Sequence, residues 1–219
     1  MEDLIIIGAS GFGREVAWVA ERINKQAEEW NILGFLDDNL ELKGKKIGGY
    51  PVLGGIDTVS KYPNAYFICA IGSASVREKI IHKIEDVLPK AKYAILIDPT
   101  VQMSDRVKIG EGTVICAGNI ITVDVEIGKH VIINLDCTVG HDALIYDFVT
   151  FYPSVNLSGI TQVEQAVELG TGAHIIQGIH IGDRAIIGAG SVVIKDIPSN
   201  CTAVGSPCKP IKFHNAEVK

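Results

Sequence analysis

Apolar residues recur at every sixth position from Met103 to Val193, without an insertion or a deletion. The sixteen positions of this series are all aliphatic, aromatic or methionine: Met103, Ile109, Ile115, Ile121, Ile127, Ile133, Val139, Ile145, Phe151, Leu157, Val163, Leu169, Ile175, Ile181, Ile187 and Val193. The residue four places after each of them is in most repeats small or β-branched, as at Thr113 and Ala143. Helices and simple sandwiches do not have a period of six, so the pattern indicates a repeat architecture.

A hexad repeat of this kind predicts a parallel β-helix with a triangular cross-section. Each hexad forms one side of the triangle, so that about eighteen residues complete one coil. Stacked strands lie about 4.8 Å apart, and roughly five coils would therefore form a rod about 25 Å tall. The first residue of each hexad is expected to point into the prism. Turn residues at the corners, many of them glycine, relieve the strain of the bend.

Residues 1–98 follow a different pattern, in which short apolar runs alternate with helical periodicity. Residues 4–7 form an apolar run that is typical of a strand buried on both faces, and apolar residues return at helical spacing from Val16 onwards. Further strands are predicted at 32–36, 66–71 and 93–97, a short strand within 44–55, and a helix over about 74–87. We predict an α/β, Rossmann-like domain over residues 1–98, followed by a parallel β-helix of hexapeptide repeats with a C-terminal capping loop over residues 99–219.

A glycine-rich turn, GASGFG at residues 8–13, lies between the first strand and the first helix. Glycines in such a turn let the backbone approach a phosphate group at the helix N-terminus. The spacing is G-x-x-G-x-G rather than the G-x-G-x-x-G of dinucleotide-binding folds, which favours a nucleotide or a nucleotide sugar. A tight turn that binds nothing remains an alternative. Asp37 and Asp38 follow the second strand, where folds of this kind contact a ribose or a base.

Composition disfavours several classes of partner. Of the 219 residues 47% are hydrophobic and 21% are charged, which is sufficient for a packed core. A net charge of −6 and the lack of Lys/Arg blocks make nucleic acid and anionic membranes unexpected partners. We find no apolar segment long enough for a signal peptide or a membrane span. The five cysteines show no C-x-x-C spacing, as expected of buried free thiols in a cytoplasmic protein.

One hexad places a histidine and then an acid at its corner, in the sequence VGHD at residues 139–142. Acyl transfer from a thioester to an amine or a hydroxyl requires a base near neutral pH, and the imidazole of His141 suits that role. The carboxylate of Asp142 can orient the ring. A solvated surface pair is the alternative interpretation.

Other histidines lie at or near corners, namely His130, His174 and His180, so a metal site has to be considered. Ligands on one edge of the prism should be one or two coils apart. The positions one and two coils beyond His141 are Gly159 and Gln177, neither of which is a histidine. The spacing argues against a metal site.

Taken together, these motifs resemble one family along the whole chain. The start GASGFGREV, the segment FLDD at 35–38, AIGS at 70–73, and hexads with a GHD corner resemble the hexapeptide-repeat nucleotide-sugar acetyltransferases. That family includes bacillosamine-pathway N-acetyltransferases, perosamine N-acetyltransferases and sialic acid O-acetyltransferases. The resemblance implies a left-handed β-helix, acetyl-CoA as co-substrate, no metal, and a homotrimer with active sites between neighbouring β-helices.

The resemblance also implies roles for individual residues. His141 would be the general base and Asp142 its supporting carboxylate. The residues expected to bind the nucleotide-sugar acceptor are Gly8, Ser10, Gly11, Phe12, Gly13, Asp37, Asp38 and Gly72. The residues expected to bind acetyl-CoA are Thr150, Gly159, Thr171, Gly188, Ala189, Gly190 and Lys209.

Two residues depart from the family pattern. Thr150 stands where relatives often carry a second histidine, and either its hydroxyl would donate to the acetyl carbonyl or backbone N–H groups would take over that role. Tyr146 stands where a glycine is usual, which predicts a bulkier corner next to the site. The function implied is acetyl transfer to the amino group of a nucleotide-linked sugar. A sialic acid-type O-acetyltransferase and a non-catalytic nucleotide-sugar-binding trimer remain alternatives.

Overall fold

A computed structural model describes residues 1–214; residues 215–219, the end of the second predicted domain, lie outside the described part. The N-terminal unit consists of β1 (Glu2–Ile7), α1 (Gly11–Asn24), β2 (Trp30–Leu36), β3 (Lys46–Ile47), β4 (Tyr50–Gly54), β5 (Tyr66–Cys69), α2 (Ala74–Val87) and β6 (Lys92–Tyr93), with 3₁₀ helices at Leu40–Leu42 and Ile56–Lys61. The strand order is β3-β4-β2-β1-β5-β6. All neighbours are parallel except β3 and β4.

The central strand β1 explains the apolar run at the start of the chain. Its residues 4–7 are completely buried because a helix covers each face of the sheet. Helix α1 packs Val16 and Val19 against one face, and α2 packs Ile81 and Ile84 against the other. The Rossmann-like α/β prediction is thereby confirmed.

Beyond this unit the chain forms a left-handed parallel β-helix of two-residue strands. They are β7 (Leu96–Ile97), β8 (Gln102–Met103), β9 (Lys108–Ile109), β10 (Val114–Ile115), β11 (Ile120–Ile121), β12 (Glu126–Ile127), β13 (Ile132–Ile133), β14 (Thr138–Val139), β15 (Leu144–Ile145), β16 (Thr150–Phe151), β17 (Asn156–Leu157), β18 (Gln162–Val163), β19 (Glu168–Leu169), β20 (His174–Ile175), β21 (His180–Ile181), β22 (Ile186–Ile187) and β23 (Val192–Val193). Every third strand pairs in parallel, so three hexads complete a coil, as predicted.

The prism has three faces, which we name for the description that follows. Face A contains β7, β10, β13, β16, β19 and β22; face B contains β8, β11, β14, β17, β20 and β23; face C contains β9, β12, β15, β18 and β21. The corners between them are the A–B, B–C and C–A edges. Strands β24 (Cys201–Val204) and β25 (Lys209–Phe213) extend face A as an antiparallel hairpin, where the capping loop was predicted.

The first residue of each hexad points into the prism, as predicted. All of these residues from Ile115 to Val193 are buried. Met103 is an exception and is 41% exposed, because β8 is the lowest strand of face B and no coil lies beneath it. All five cysteines are free and buried, in agreement with the prediction.

The predicted strand at 93–97 is divided in the structure. Lys92–Tyr93 pairs with β5 in the first sheet, whereas Leu96–Ile97 pairs with Val114–Ile115 and begins face A. Tyr93, Ala94 and Leu96 are all buried on either side of the break, so the apolar pattern continues through it and does not reveal it. The division of the chain at residue 98 remains a prediction.

Among residues 1–214, face A is the one face of the prism that other elements cover. Its outward residues Leu96, Val114 and Ile132 belong to the same apolar cluster as Val16 of α1, whereas Ile120 on face B is exposed. The N-terminal unit and the β-helix therefore share a hydrophobic core through face A. Within residues 1–214, no helix combines the length and the apolarity needed to cross a bilayer.

Candidate active site

The histidine–acid pair lies at the B–C edge, immediately after β14. His141 Nδ1 is 2.7 Å from Asp142 Oδ2. Asp142 has a φ of 57°, a left-handed conformation that a short polar side chain tolerates better than most. A carboxylate only accepts hydrogen bonds, so the neutral ring carries its proton on Nδ1 and leaves Nε2 as the proton acceptor. Both side chains are exposed, so a substrate can reach Nε2.

Gly159 lies one coil beyond His141 on the same edge. A Cβ added to Gly159 would be 2.7 Å from His141 Nε2, which means that the imidazole rests directly against the glycine backbone. The structure thus brings this predicted acetyl-CoA residue beside the histidine. No side chain larger than hydrogen fits there without moving the ring.

Thr171 and the segment 188–190 lie on the A–B edge, which is a different edge from that of His141. The Gly190 N–H donates to the Thr171 carbonyl over 2.8 Å, which stacks the two segments in consecutive coils. A Cβ on Gly172 or Gly190 would meet nothing within 4 Å, so this edge is open and largely bare of side chains. Face B separates the two edges, so one chain alone does not bring these residues to His141.

Lys209 lies at the upper end of the A–B edge. It is exposed and pairs with Val204 across the terminal hairpin. Val204 in turn contacts the backbone of Gly188, where an added Cβ would be 2.7 Å from its Cγ1. Ala189 is exposed between these elements. Five of the predicted acetyl-CoA residues therefore share the A–B edge: Thr171, Gly188, Ala189, Gly190 and Lys209.

The glycine-rich turn is held in shape by the backbone and by Asp37. Gly8 has a φ of 99°, and its N–H donates to the Leu36 carbonyl over 2.8 Å. A Cβ on Gly13 would be 2.1 Å from the Gly8 carbonyl oxygen, so α1 packs as closely on β1 as only glycine permits. The Asp37 carboxylate accepts the N–H of Ala9 over 2.8 Å. In this structure Asp37 shapes the turn.

The first turn of α1 is open to a ligand. Gly11 and Ser10 are exposed, and the Ser10 hydroxyl makes no capping hydrogen bond to the helix. Phe12 is partly buried and packs on the apolar cluster below. A shallow cleft of about 490 Å³ lies alongside, lined in part by Arg14 and Trp18. The N–H groups and the dipole of a helix start favour an anion at such a place.

Asp38 has different partners from Asp37. Its Oδ1 accepts the N–H of Ile56 over 2.8 Å, and its Oδ2 is 3.2 Å from Lys83 Nζ of α2. The side chain remains about half exposed. Asp38 therefore fixes the chain after β4, and its carboxylate remains partly accessible to solvent.

Thr150 was expected to bind acetyl-CoA, a contact that remains a prediction; in the structure its hydroxyl is paired within the chain. Thr150 is 1% exposed, on face A beneath the N-terminal unit. Its hydroxyl donates to the Gly72 carbonyl over 2.7 Å and accepts from Arg77 Nη2 over 2.9 Å. Its single proton is therefore used within the chain. The hexad period marks position 150 as outward-facing, but it does not reveal which face another element covers.

Sequence reasoning missed the buried cation at this junction. Arg77 of α2 is completely buried and donates to the carbonyl oxygens of His130 and Phe148 on the C–A edge. Desolvation lowers the pKa of Arg77 to about 10. The helical spacing of Arg77 could have predicted its burial, because Arg77 lies in the same stripe of α2 as the buried residues Ile81 and Ile84.

Tyr146 lies on the C–A edge, so its bulk does not crowd the edge of His141. It is exposed and overhangs a cleft of about 380 Å³. The cleft exists because the coils below carry Gly110 and Gly128 at the equivalent corner. The bulkier corner is thus the one that follows the corner of His141, and its effect on the site remains a prediction.

The remaining histidines do not gather around a common point. His174 lies on face B and His180 on face C, where His180 Nε2 is 3.0 Å from Glu164 Oε1. His130 is buried between Phe148 and Tyr93. Across residues 1–214, no three His, Cys, Asp or Glu side chains form a group that could hold a metal ion.

Known protein families match a segment of the N-terminal unit and a segment of the β-helix. Residues 3–84 match the family described as the PglD N-terminal domain, and residues 160–195 match the bacterial transferase hexapeptide family. GDP-perosamine N-acetyltransferase of Escherichia coli O157:H7 is 32% identical over 94% of this chain and 95% of that enzyme.

Two solved structures are similar over nearly their whole length. The acetyltransferase domain of PglB from Neisseria gonorrhoeae, in complex with acetyl coenzyme A, has a TM-score of 0.86 at 29% identity and covers 96% of this chain and 99% of its own. A histidine-to-asparagine variant of perosamine N-acetyltransferase from Caulobacter crescentus, in complex with CoA and GDP-perosamine, has a TM-score of 0.86 at 28% identity and covers 97% and 98%.

Proposed function

Because this chain belongs to the nucleotide-sugar N-acetyltransferases that combine a PglD-type N-terminal domain with hexapeptide repeats, we propose that His141 is the general base for acetyl transfer to a nucleotide-linked amino sugar. Acetyl-CoA is the acetyl donor in this family. A GDP-linked amino sugar is the first acceptor to consider, because the Caulobacter enzyme was solved with CoA and GDP-perosamine. The observation that carries the proposal is the 2.7 Å contact of His141 Nδ1 with Asp142.

The chemistry follows from the protonation state of the ring. The acceptor amine attacks the thioester carbonyl, an N–C bond forms, and the C–S bond breaks. His141 Nε2 accepts the proton that the amine loses and returns it to the departing thiolate. Asp142 holds Nδ1–H, which keeps Nε2 directed outward and stabilises the imidazolium ion that forms.

A trimer with shared active sites is supported by the separation of the two edges. Five of the residues expected to bind acetyl-CoA lie on the A–B edge, whereas His141 and Gly159 lie on the B–C edge, so we expect a neighbouring chain to supply one of the two edges. The B–C edge also exposes three isoleucines in the first, second and third coils beyond His141: Ile160, Ile176 and Ile194. An exposed aliphatic strip of this kind is typical of a surface that a partner covers.

The activity is tested by incubating the protein with acetyl-CoA and GDP-, UDP-, dTDP- or CMP-linked amino sugars and following the release of the CoA thiol. We expect turnover with one of these acceptors. His141→Ala should lower kcat by roughly 10²- to 10⁴-fold, with unchanged acetyl-CoA affinity. Full activity of His141→Ala would refute the assignment of the base.

The shared site is tested by mixing chains. Ala189→Trp fills the open A–B edge, and we expect it to abolish acetyl-CoA binding, whereas His141→Ala removes the base. If each site takes one edge from each of two chains, co-expression of the two inactive variants restores part of the activity. A mixture that stays inactive would place both edges of a site in one chain.

A further inference from the structure

A carboxylate of the β-helix binds residues 71–74, which join β5 to α2 and include the first residue of α2. Glu168 lies on face A, in the outward position of β19. Its Oε1 accepts the backbone N–H of Ala74 over 2.8 Å and the hydroxyl of Ser73 over 3.2 Å. Its Oε2 accepts the hydroxyl of Tyr152 over 3.1 Å. One side chain of the β-helix therefore binds three groups, two of them in the N-terminal unit.

The carboxylate acts as the N-terminal cap of α2. Ser73 is the N-cap residue, but its own side chain makes no capping hydrogen bond to the helix. Glu168 supplies the missing acceptor from 94 residues away in the chain. A negative charge at a helix N-terminus is stabilised by the free N–H groups and by the helix dipole. The start of α2 is therefore fixed relative to the β-helix.

The same turn is held from its other side by the Gly72 carbonyl. That oxygen accepts hydrogen bonds from Thr150 and from Arg77, at 2.7 and 3.1 Å. A Cβ on Gly72 would be 3.6 Å from the Tyr152 hydroxyl. Burial and the charge of Glu168 raise the pKa of Tyr152 to about 12, so the tyrosine remains a donor to the carboxylate.

Tyr152 connects this network to the open edge of the prism. It is the first residue of the A–B edge after β16, and Gly170 and Gly188 occupy the same corner position in the coils above. Residues 71–74, which we call the acceptor-binding turn because they include the predicted acceptor residue Gly72, therefore meet the edge expected to bind acetyl-CoA at Tyr152. A displacement of residues 71–74 would change the distance between the two substrates.

We propose that Glu168 is a positioning residue, which holds the acceptor-binding turn at a fixed place on the β-helix through Ala74, Ser73 and Tyr152. Glu168 acts on the acceptor through the turn. The identity of the acceptor rests on the proposed function. The position of the turn rests on the hydrogen bonds of Glu168 alone.

Two variants separate positioning from a direct effect of charge. Glu168→Ala removes every acceptor, whereas Glu168→Gln keeps one oxygen for Ala74 and Ser73 and offers an amide N–H to the Tyr152 oxygen. We expect Glu168→Ala to raise the KM for the nucleotide sugar at least tenfold, with an unchanged KM for acetyl-CoA and an intact trimer. Glu168→Gln should restore most of the wild-type KM. Glu126→Ala, at the equivalent outward position on face C, is the matched control and should resemble the wild type.

Amide hydrogen exchange tests the position of the turn without any substrate. Peptides covering residues 70–76 should exchange faster in Glu168→Ala than in the wild type, and close to the wild-type rate in Glu168→Gln. Unchanged exchange in Glu168→Ala would overturn the inference. Equal acceptor KM defects in the Ala and Gln variants would also overturn it, because the charge itself would then act on the substrate. If the wild type acetylates no amino sugar, the proposed function fails, and the exchange result still decides the role of Glu168.

Discussion

The imidazole of His141 rests on the backbone of Gly159, with its Nε2 2.7 Å from the place where a Cβ of that residue would lie. Gly159→Ala should therefore displace the ring while leaving the coil intact, because the contact is with the end of an exposed side chain. A misplacement of this order lowers kcat by about 100-fold. Steady-state kinetics and a thermal melt measure both effects.

The control for this prediction is the double variant. With His141→Ala as background there is no ring to displace, so Gly159→Ala should have no further effect on kcat. A large additional loss of activity in the double variant would show that Gly159 acts on the substrate by itself.

Thr150 provides a test of its placement under the N-terminal unit. Thr150→Val keeps the shape of the side chain but deprives Gly72 of a donor and Arg77 of an acceptor, so the free energy of unfolding should fall by about 1–3 kcal/mol. The KM for acetyl-CoA should not change. Urea unfolding and initial rates give the two numbers, with Thr150→Ser as the control that retains the hydroxyl. A selective rise in the KM for acetyl-CoA at unchanged stability would contradict the burial of this group.

The glycine turn offers two substitutions with opposite expectations. Gly11 is exposed, and a Cβ there would approach only the end of the Arg14 side chain, at 3.8 Å. Gly11→Val should weaken binding of the nucleotide sugar without changing stability or acetyl-CoA affinity. Gly13→Ala brings a Cβ to 2.1 Å from the Gly8 carbonyl oxygen and should cost about 1–3 kcal/mol of stability through overpacking.

Calorimetry with the nucleotide sugar and with acetyl-CoA, together with urea unfolding, distinguishes these outcomes. Normal binding of both ligands by Gly11→Val would mean that the turn is only structural.

His130 predicts a loss of stability in mild acid. It is 3% exposed and stacks on Phe148 at a centroid distance of 5.1 Å. Burial, and then the charges of Arg77 and Lys129, lower the pKa of His130 to about 3. Because the folded pKa lies below the unfolded one, the unfolded chain binds the proton first. Stability is therefore lost as the pH falls below about 6.5, by about 1.4 kcal/mol per pH unit.

Urea unfolding between pH 7 and pH 5 measures this slope, since ordinary carboxylates titrate below that window. In His130→Phe the slope of the unfolding free energy against pH should be smaller by the contribution of one proton, about 1.4 kcal/mol per pH unit. The phenylalanine keeps the stack on Phe148 and leaves no polar ring atom unpaired. An unchanged slope would show that His130 takes up a proton in the folded state.

The amino-acid sequence by itself determined the two kinds of architecture. The period of six marks which residues enter the prism, because every coil repeats the same alternation of inward residue and corner, and residues such as Val139 and Phe151 are buried as expected. The helix over residues 74–87 was likewise predictable, because its apolar stripe is local. His141 was identifiable because it is the one corner histidine that an acid follows directly.

The tertiary structure alone decided which outward positions are covered and which edge each site residue occupies. Thr150 and Ile120 both precede an inward residue, yet the first is buried under the N-terminal unit and the second is exposed. Arg77 and Glu168 obtain their partners from segments far away in the chain. Local periodicity reports whether a side chain points inward or outward; it carries no information about what packs against the outside, because that depends on contacts between distant segments.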